Sequence, residues 1–253
     1  MYPIIKIGVL SFPTFQIILL IAVFICSFAL LKSKLFNMNC FEELIEVAAV
    51  SLVFAAIGGK ILFFVVMKMQ GLKTGWECLT GGFVFYGGLI GGTVGIVLCS
   101  KHFSRRVKEY TDIMAMILPL GQALGRIGCF LNGCCYGCDY NGPLSVAYPV
   151  SGTVRCVFPV WFLEAVICLL IFIQLNYLCK SRKAGYRTAI YFIEYGITRF
   201  LLEFLRGDEI RGYLSVLSVS QAISIAVVII GIITIIQTKN TEDNIFFEEV
   251  NEK

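Results

Sequence analysis

The sequence predicts an all-α integral membrane protein, a bundle of about seven transmembrane helices with its N-terminus outside and its C-terminus in the cytoplasm. Hydrophobic residues make up 58% of the 253 residues and charged residues only 15%, whereas soluble domains contain about 25% charged residues. Seven apolar segments each approach the roughly 20 residues that a bilayer-spanning helix needs. Lysine and arginine are concentrated in alternate loops, as expected for a polytopic protein.

The predicted spans are separated by polar loops and cover about 13–31, 44–67, 79–99, 111–133, 158–179, 188–206 and 216–236. The first is kept as a helix, because its apolar stretch is long and no signal-peptide cleavage site follows it. We expect one polytopic membrane domain over 1–238 and a polar cytoplasmic tail over 239–253.

The orientation follows from the basic residues. The loops after the first, third and fifth spans, with the C-terminal tail, hold 12 Lys and Arg, and the opposite side holds five. Cytoplasmic loops are enriched in these residues, which predicts an external N-terminus. The single histidine, His102, lies in a basic cytoplasmic loop and is expected at the surface. A net charge of +4 is too small to indicate a nucleic-acid partner, and we expect none.

The predicted sixth span carries a charged stripe. Arg199 and Glu203 are four residues apart, and Arg206 follows three residues later, so all three are expected on one helical face. Lipid cannot solvate these groups, and the stripe should therefore face the protein interior or a wet cavity. Two guanidinium groups held by one carboxylate suit the binding of a phosphate. Glu164, in the predicted fifth span, is a candidate partner for a buried cation.

The end of the predicted fourth span combines glycine, arginine and cysteine. Glycines flank Arg126 on both sides, and Asn132-Gly133 predicts a turn or helix break. Of the four cysteines here, only Cys135-x-x-Cys138 has the spacing of zinc ligands. Since neither a second pair nor a nearby histidine accompanies it, packing or substrate contact is favoured over a disulfide or redox role, and we expect no metal ion.

The predicted third span is rich in glycine. Gly87 and Gly91, and Gly91 and Gly95, are four residues apart, a spacing that permits close helix packing. Tyr86 and Gly88 belong to the same run, where a substrate is also able to approach the backbone.

Five motifs occur in order along these spans. They are Tyr-Gly-Gly-Leu-Ile-Gly at 86–91, Gly-Arg-Ile-Gly-x-Phe-Leu-Asn-Gly-x-x-Tyr-Gly at 125–137, Pro-x-x-x-x-Glu at 159–164, Arg-Phe-x-x-Glu-Phe-x-Arg at 199–206 and Ser-x-Ser-Gln-x-x-Ser at 218–224. Together they resemble the motifs of the prolipoprotein diacylglyceryl transferases.

The resemblance implies an enzyme that moves an sn-1,2-diacylglyceryl group from phosphatidylglycerol to the lipobox cysteine thiol of a prolipoprotein, in lipoprotein biosynthesis. It implies a multi-pass protein of the bacterial plasma membrane. The implied partners are phosphatidylglycerol or a related anionic phospholipid, the prolipoprotein signal peptide and the bilayer. No cofactor and no metal are implied.

By motif position, the resemblance also implies roles for individual residues. Arg126 and Arg206 would bind the phosphate and stabilise the leaving group, and Tyr86 is the third catalytic candidate. The implied substrate-binding and positioning residues are Gln16, Gly87, Gly88, Cys129, Asn132, Gly133, Gly137, Glu164, Arg199 and Glu203.

The chain departs from the family's pattern at four positions. Tyr86 stands where the family has histidine, Cys129 where it has asparagine, Cys134 where it has glutamate, and Gln16 where it has tyrosine. A tyrosine, with an unperturbed pKa of roughly 10, removes a proton from a thiol only if neighbours such as Arg126 lower its pKa; otherwise it orients the lipid through a hydrogen bond.

Three alternatives to this transferase stay open from the sequence. One is a paralogue that transfers a lipid-derived group to a different acceptor. Another is a non-enzymatic phospholipid-binding or transport protein of the membrane. The third is a redox membrane protein that uses Cys135 and Cys138.

Overall fold

The computed structural model describes residues 4–7, 10–33, 36–69, 85–150, 153–179, 181–207, 213–214, 217–243 and 245. These residues are mostly helical. The described ranges contain seven α-helices: α1 (Thr14–Lys32), α2 (Phe41–Met69), α3 (Phe85–His102), α4 (Val107–Asn132), α5 (Val160–Ile173), α6 (Tyr186–Leu202) and α7 (Val219–Gln237).

Short antiparallel hairpins accompany the helices. The paired strands are β1 (Ile4–Ile7) with β2 (Leu10–Pro13), β3 (Val146–Val150) with β4 (Thr153–Val157), and β5 (Tyr213–Leu214) with β6 (Leu217–Ser218). The β3–β4 hairpin lies between α4 and α5, with Tyr148 opposite Arg155. On β3, Tyr148 and Val150 are buried, whereas Ala147 and Pro149 are exposed. One face of this hairpin therefore packs on the protein next to the ends of both helices.

The apolar helices confirm the prediction of a helical membrane protein. Large side chains such as Leu20 and Phe24 on α1 are 71% and 73% exposed, and apolar surface of this extent requires a hydrocarbon solvent. Within the described residues, five helices are long and apolar enough to cross a bilayer: Thr14–Lys32, Phe41–Val65, Val107–Asn132, Val160–Leu178 and Ser220–Asn240.

The other two helices, α3 and α6, lie where the third and sixth spans are predicted. α6 is 17 residues long and less apolar, because it carries Arg187, Glu194 and Arg199. The first part of the predicted third span, 79–84, lies outside the described residues. The predicted fifth span corresponds to α5 together with the π-helical turn Gln174–Leu178 that follows it.

Buried polar side chains hold the start of α6. The Asp112 carboxylate on α4 accepts hydrogen bonds from the backbone amides of Gly185 at 2.8 Å and Thr188 at 2.9 Å, and from the Thr188 hydroxyl at 2.7 Å. The first amides of a helix have no partner within the helix. Asp112 therefore acts as an N-terminal cap supplied by a different helix.

Arg187, counted above with the basic loop residues, is instead 1% exposed in the first turn of α6. Its guanidinium donates hydrogen bonds to the backbone carbonyl oxygens of Leu175, Cys179 and Ser181. These carbonyls belong to the π-helical turn and the segment after it, where helical hydrogen bonding ends. The arginine is buried because it replaces those missing donors.

The chain divides into two compact units, Met1–Phe36 with Thr111–Lys253, and Asn37–Tyr110. In the smaller unit, α2 and α3 pack backbone against backbone. A Cβ atom on Gly58 would lie 2.3 Å from the Gly87 carbonyl oxygen, and one on Gly91 would lie 2.1 Å from the Phe54 carbonyl oxygen. Only glycine permits such an approach, so the predicted close packing of the glycine run is confirmed.

Candidate active site

An ion pair between α4 and α5 forms the centre of the candidate site. Arg126 Nη2 lies 2.6 Å from Glu164 Oε1, and the two side chains are 18% and 2% exposed. An unpaired charge at this burial would be strongly destabilising. The prediction that Glu164 pairs with a buried cation is therefore confirmed, and Arg126 is that cation.

A second ion pair joins α6 to the start of α7. Arg199 Nη2 lies 3.2 Å from Glu203 Oε2, and it also donates to Ser220 Oγ at 3.4 Å. The Ser218 hydroxyl donates to Glu203 Oε1 at 2.9 Å and accepts a hydrogen bond from the Gln221 amide at 3.1 Å. Ser218 and Gln221 form a reciprocal capping box, so the cap of α7 also fixes the Glu203 carboxylate.

Arg206 lies beyond the helix, and the prediction that it shares one helical face with Arg199 and Glu203 is wrong. α6 ends at Leu202, the 3-10 turn Glu203–Leu205 follows, and Arg206 is extended with φ of −90° and ψ of 144°. The backbone leaves the helical path here because residue 206 forms a β-bridge with Gly137.

Two backbone segments meet closely at this bridge. The Cys138 amide donates to the Leu205 carbonyl at 2.9 Å, and the Gly207 amide donates to the Tyr136 carbonyl at 3.0 Å. A Cβ atom on Gly137 would lie 2.2 Å from the carbonyl oxygen of residue 158. Glycine at 137 therefore lets the loop after α4 approach the segment before α5. On the Arg206 side of the bridge the close contact is at Gly207, where a Cβ atom would lie 2.5 Å from the Gly137 carbonyl oxygen.

A cavity of about 390 Å³ lies next to the first ion pair. Within the described part of the chain, Arg126 is the one charged residue that contributes to its lining, and almost all of the lining surface is apolar or aromatic. A cavity with one fixed cation and apolar walls fits a ligand that is partly anionic and largely hydrocarbon. The lining consists of Arg126, Ile127, Phe130, Leu144, Val146, Pro159, Trp161, Phe162 and Ala165.

Three thiols lie close together near Arg126. Cys129 lies in the last turn of α4, and Cys134 and Cys135 lie in the loop after it; their Sγ atoms are all within 4.8 Å of one another. Arg126 Nη1 donates to Cys129 Sγ at 3.9 Å. The group does not include Cys138, although only Cys135-x-x-Cys138 has the spacing of zinc ligands in the sequence, because the loop turns back on the helix end instead of continuing it.

The loop reverses direction through two left-handed residues, Gly133 with φ of 83° and Cys135 with φ of 59°. The turn predicted at Asn132-Gly133 is therefore confirmed. A cysteine in this conformation is uncommon and implies strain that the surroundings must offset. Trp161 Nε1 donates to the Cys134 carbonyl at 2.9 Å and the Tyr148 hydroxyl donates to the Phe130 carbonyl at 3.2 Å, which supplies that support.

The charge state of Cys135 follows from these neighbours. Hydrogen bonding with the Cys129 and Cys134 thiols, and the positive charges of Arg206 and Arg126, act to lower the pKa of its thiol. These effects outweigh burial and hold the pKa of Cys135 below its ordinary value. A sulfur in this setting is disposed to carry negative charge.

The remaining predicted residues are distributed over both units. Gln16 is exposed on α1, and Asn132 is exposed at the end of α4, where its amide donates to Cys134 Sγ at 3.9 Å. Gly87 and Gly88 are buried on α3 in the smaller unit, and the side chain of Tyr86 lies outside the described residues. His102 is exposed at the end of α3, as predicted.

Two aromatic residues were missed by reasoning from the sequence. Trp161 falls within the Pro-x-x-x-x-Glu motif, so the motif indicated this segment but not what Trp161 does. Tyr148 is fully buried in β3, and the sequence around it gives no sign of this. Both side chains hold the backbone of the cysteine-bearing loop.

These features define a class: a multi-pass helical membrane protein in which a paired arginine is the one charged residue that the described chain contributes to the lining of an apolar cavity. A family model described as prolipoprotein diacylglyceryl transferase matches residues 3–237. The chain belongs to this family.

Relatives from bacteria agree with that assignment. A Clostridium tetani protein named phosphatidylglycerol–prolipoprotein diacylglyceryl transferase is 36% identical over 198 residues, which cover 76% of this chain and 79% of the relative. A Clostridium perfringens protein with the same name and the number 2 is 34% identical over 199 residues, covering 76% and 77%. A Finegoldia magna protein of that name is 37% identical over 161 residues, covering 63% and 62%.

Proposed function

We propose that this chain is a phosphatidylglycerol–prolipoprotein diacylglyceryl transferase. The acceptor cysteine sulfur bonds to the glycerol carbon of the diacylglyceryl group, and the bond from that carbon to the phosphate oxygen breaks. Glycerol phosphate leaves with the electron pair, and the thiol loses its proton. The observation that carries the proposal is the Arg126–Glu164 ion pair at the wall of an apolar cavity, in a chain that belongs to this family.

Arg126 supplies fixed positive charge where negative charge develops. Glu164 engages its Nη2 at 2.6 Å, which orients the guanidinium before the lipid binds. A preorganised cation in a site shielded from water stabilises a departing phosphate more than a solvated cation would. The aromatic walls formed by Phe130 and Phe162 suit the acyl chains.

Arg206 is the second proposed phosphate ligand. Its backbone is held by the bridge to Gly137, and the Arg199–Glu203 pair anchors the turn that precedes it. Arg199 and Glu203 act as positioning residues in this proposal. The other assignments follow motif position: Tyr86 acts as a base or orients the lipid, and the remaining substrate contacts come from Gln16, Gly87, Gly88, Cys129, Asn132, Gly133 and Gly137.

The proposed setting is the bacterial plasma membrane, with seven spans over 1–238, an external N-terminus and a cytoplasmic tail over 239–253. The distribution of lysine and arginine supports this orientation. It puts the cysteine-bearing loop and Arg206 at the outer face, where the signal peptide of a prolipoprotein is presented. No nucleic acid takes part.

The proposal is tested by expressing the chain in bacteria depleted of their own transferase and assaying lipidated prolipoprotein. We expect lipidation with the parent chain and its loss with Arg126→Ala. Arg155→Ala is the matched control, since the Arg155 side chain is 52% exposed and lies outside the cavity lining.

A parent chain that reaches the membrane folded but produces no lipidated prolipoprotein would contradict the proposal. Phospholipid that copurifies with such a chain would then indicate a binding protein. A different lipid-modified product would indicate transfer to another acceptor.

A further inference from the structure

The three thiols beside Arg126 have the geometry of a metal site. Cys129, Cys134 and Cys135 place their Sγ atoms within 4.8 Å of one another. Zinc binds thiolate sulfur at about 2.3 Å, which sets neighbouring sulfurs about 3.8 Å apart in a tetrahedral site. Shifts of about 1 Å or less would complete the coordination. Thiolate ligands favour Zn²⁺ and Cu⁺ over harder cations.

The loop that carries two of these ligands is held in place independently of any ligand. The Cys134 amide donates to the Cys129 carbonyl at 3.2 Å. The Cys134 carbonyl accepts hydrogen bonds from Trp161 Nε1 at 2.9 Å and from the Tyr148 hydroxyl at 3.5 Å. Because these donors come from buried aromatic residues, the three sulfurs are preorganised and do not depend on a mobile chain.

Hydrogen-bond donors also surround the sulfurs. Arg126 Nη1 donates to Cys129 Sγ, and Asn132 Nδ2 donates to Cys134 Sγ, both at 3.9 Å. Donors of this kind orient metal-bound ligands and adjust the charge of the site. One Zn²⁺ with three thiolates has a single net negative charge, which the neighbouring arginine would offset.

A site with three protein ligands leaves one coordination position for a substrate, as catalytic zinc sites do. A thiol that coordinates Zn²⁺ is deprotonated, whereas a free cysteine, with a pKa of about 8.5, is mostly protonated at neutral pH. The transferase reaction needs a thiolate, and this group of sulfurs adjoins the arginine proposed to bind the phosphate.

We propose that Cys129, Cys134 and Cys135 bind Zn²⁺ and that the fourth coordination position takes the acceptor thiol. The second part of this inference rests on the proposed function. The acceptor thiol coordinates zinc and releases its proton to solvent. Its sulfur then bonds to the glycerol carbon while the carbon–oxygen bond to phosphate breaks. Glycerol phosphate leaves with the electron pair beside Arg126, and zinc keeps its oxidation state. The thioether product is a weaker ligand and dissociates.

Metal binding is measured directly on the full chain, purified in detergent under reducing conditions. We expect one zinc per chain by elemental analysis, and thiolate-to-metal charge-transfer absorption after exchange with Co²⁺. Loss of a residue that only supports a metal ligand costs about 10- to 100-fold in affinity, so Cys129→Ser and Cys134→Ser should each weaken zinc binding by about 100-fold or more. Cys138→Ser and Cys156→Ser, outside the group, should bind zinc like the parent.

The parent protein keeps the inference falsifiable even where a serine variant does not fold. Less than stoichiometric zinc after reconstitution, a cobalt spectrum without thiolate bands, or a disulfide within the group that persists under reduction would each overturn it.

The role of zinc in transfer is separated from the function itself by assaying lipidation before and after chelation. Activity that falls with zinc removal and returns on zinc addition supports the role. Full activity without zinc overturns thiol activation while the transferase stands. Stoichiometric zinc with no lipidation under any condition contradicts the proposed function and leaves the metal site intact.

Discussion

Two buried arginines of the larger unit, Arg187 and Arg126, are used in different ways. Arg187 is 1% exposed, and its guanidinium donates to three backbone carbonyl oxygens. The Arg126 side chain is 18% exposed, pairs with Glu164 and lines a cavity. Burial alone therefore does not identify a functional cation. The distinction is that backbone carbonyl oxygens of its own chain occupy the Arg187 guanidinium, whereas Arg126 belongs to the lining of a cavity that a ligand is able to enter.

The largest expected effect comes from Arg187→Ala. It leaves the buried Leu175 carbonyl oxygen and the half-buried Cys179 and Ser181 carbonyl oxygens without their donor, and each buried unsatisfied group costs roughly 1–3 kcal/mol. We expect the free energy of unfolding to fall by about 4 kcal/mol, measured by unfolding in detergent, with a parallel fall in folded protein in the membrane. If Arg187→Ala had normal stability but no activity, the structural role assigned to Arg187 would be wrong.

Arg126→Lys should separate charge from geometry. A lysine keeps the positive charge but lacks the planar fork that pairs with Glu164 while facing the cavity. We expect lipidation to slow by about 100-fold, or about 2.7 kcal/mol of transition-state stabilisation, with little change in unfolding. The matched variant Arg187→Lys should do the opposite, with reduced stability and normal activity per folded molecule.

Glu164→Gln tests whether the carboxylate is needed to hold Arg126. Glutamine retains the shape and one hydrogen bond but leaves the buried guanidinium without a counter-charge. We expect a loss of about 2 kcal/mol in stability, below the cost of deleting the partner outright, and about tenfold slower lipidation. Identical kinetics in the variant would show that Arg126 keeps its place without Glu164.

Ser218→Ala should give the smallest effect. It removes the N-terminal cap of α7, worth about 1 kcal/mol, and the hydroxyl that donates to Glu203. We expect a modest fall in unfolding temperature and a small loss of activity. Ser218→Thr keeps the hydroxyl and serves as the control. If the threonine variant were as unstable as the alanine variant, the capping hydroxyl would not account for the loss of stability.

The parts of the fold and site that follow from the sequence are those set by local composition. Apolar segments predict helices in lipid, and a glutamate within such a segment predicts a cationic partner, which is Arg126. The glycine run in α3 also predicts close packing, because the small residues that permit it follow one another within a single segment.

The parts that do not follow depend on pairings between distant segments. Arg206 leaves the helical path because of a bridge to residue 137, which no spacing within α6 encodes. The cysteines group as they do because Cys135 adopts a left-handed conformation. The sequence indicates that Arg187 is a loop residue that sets topology. Its burial could not be predicted, because its carbonyl partners become available only where the π-helical turn ends.

The bridge between the Gly137 loop and the Arg206 segment has a consequence for how the family is able to diverge. Its bonds join backbone atoms only, between Cys138 and Leu205 and between Gly207 and Tyr136. Side chains at 134–136 are therefore able to change while the main chain keeps its position, provided that residues 137 and 207 remain glycine. The side chains of this loop are therefore separable from the main-chain contacts that position it, so new chemistry at the loop does not require a rebuilt helical bundle.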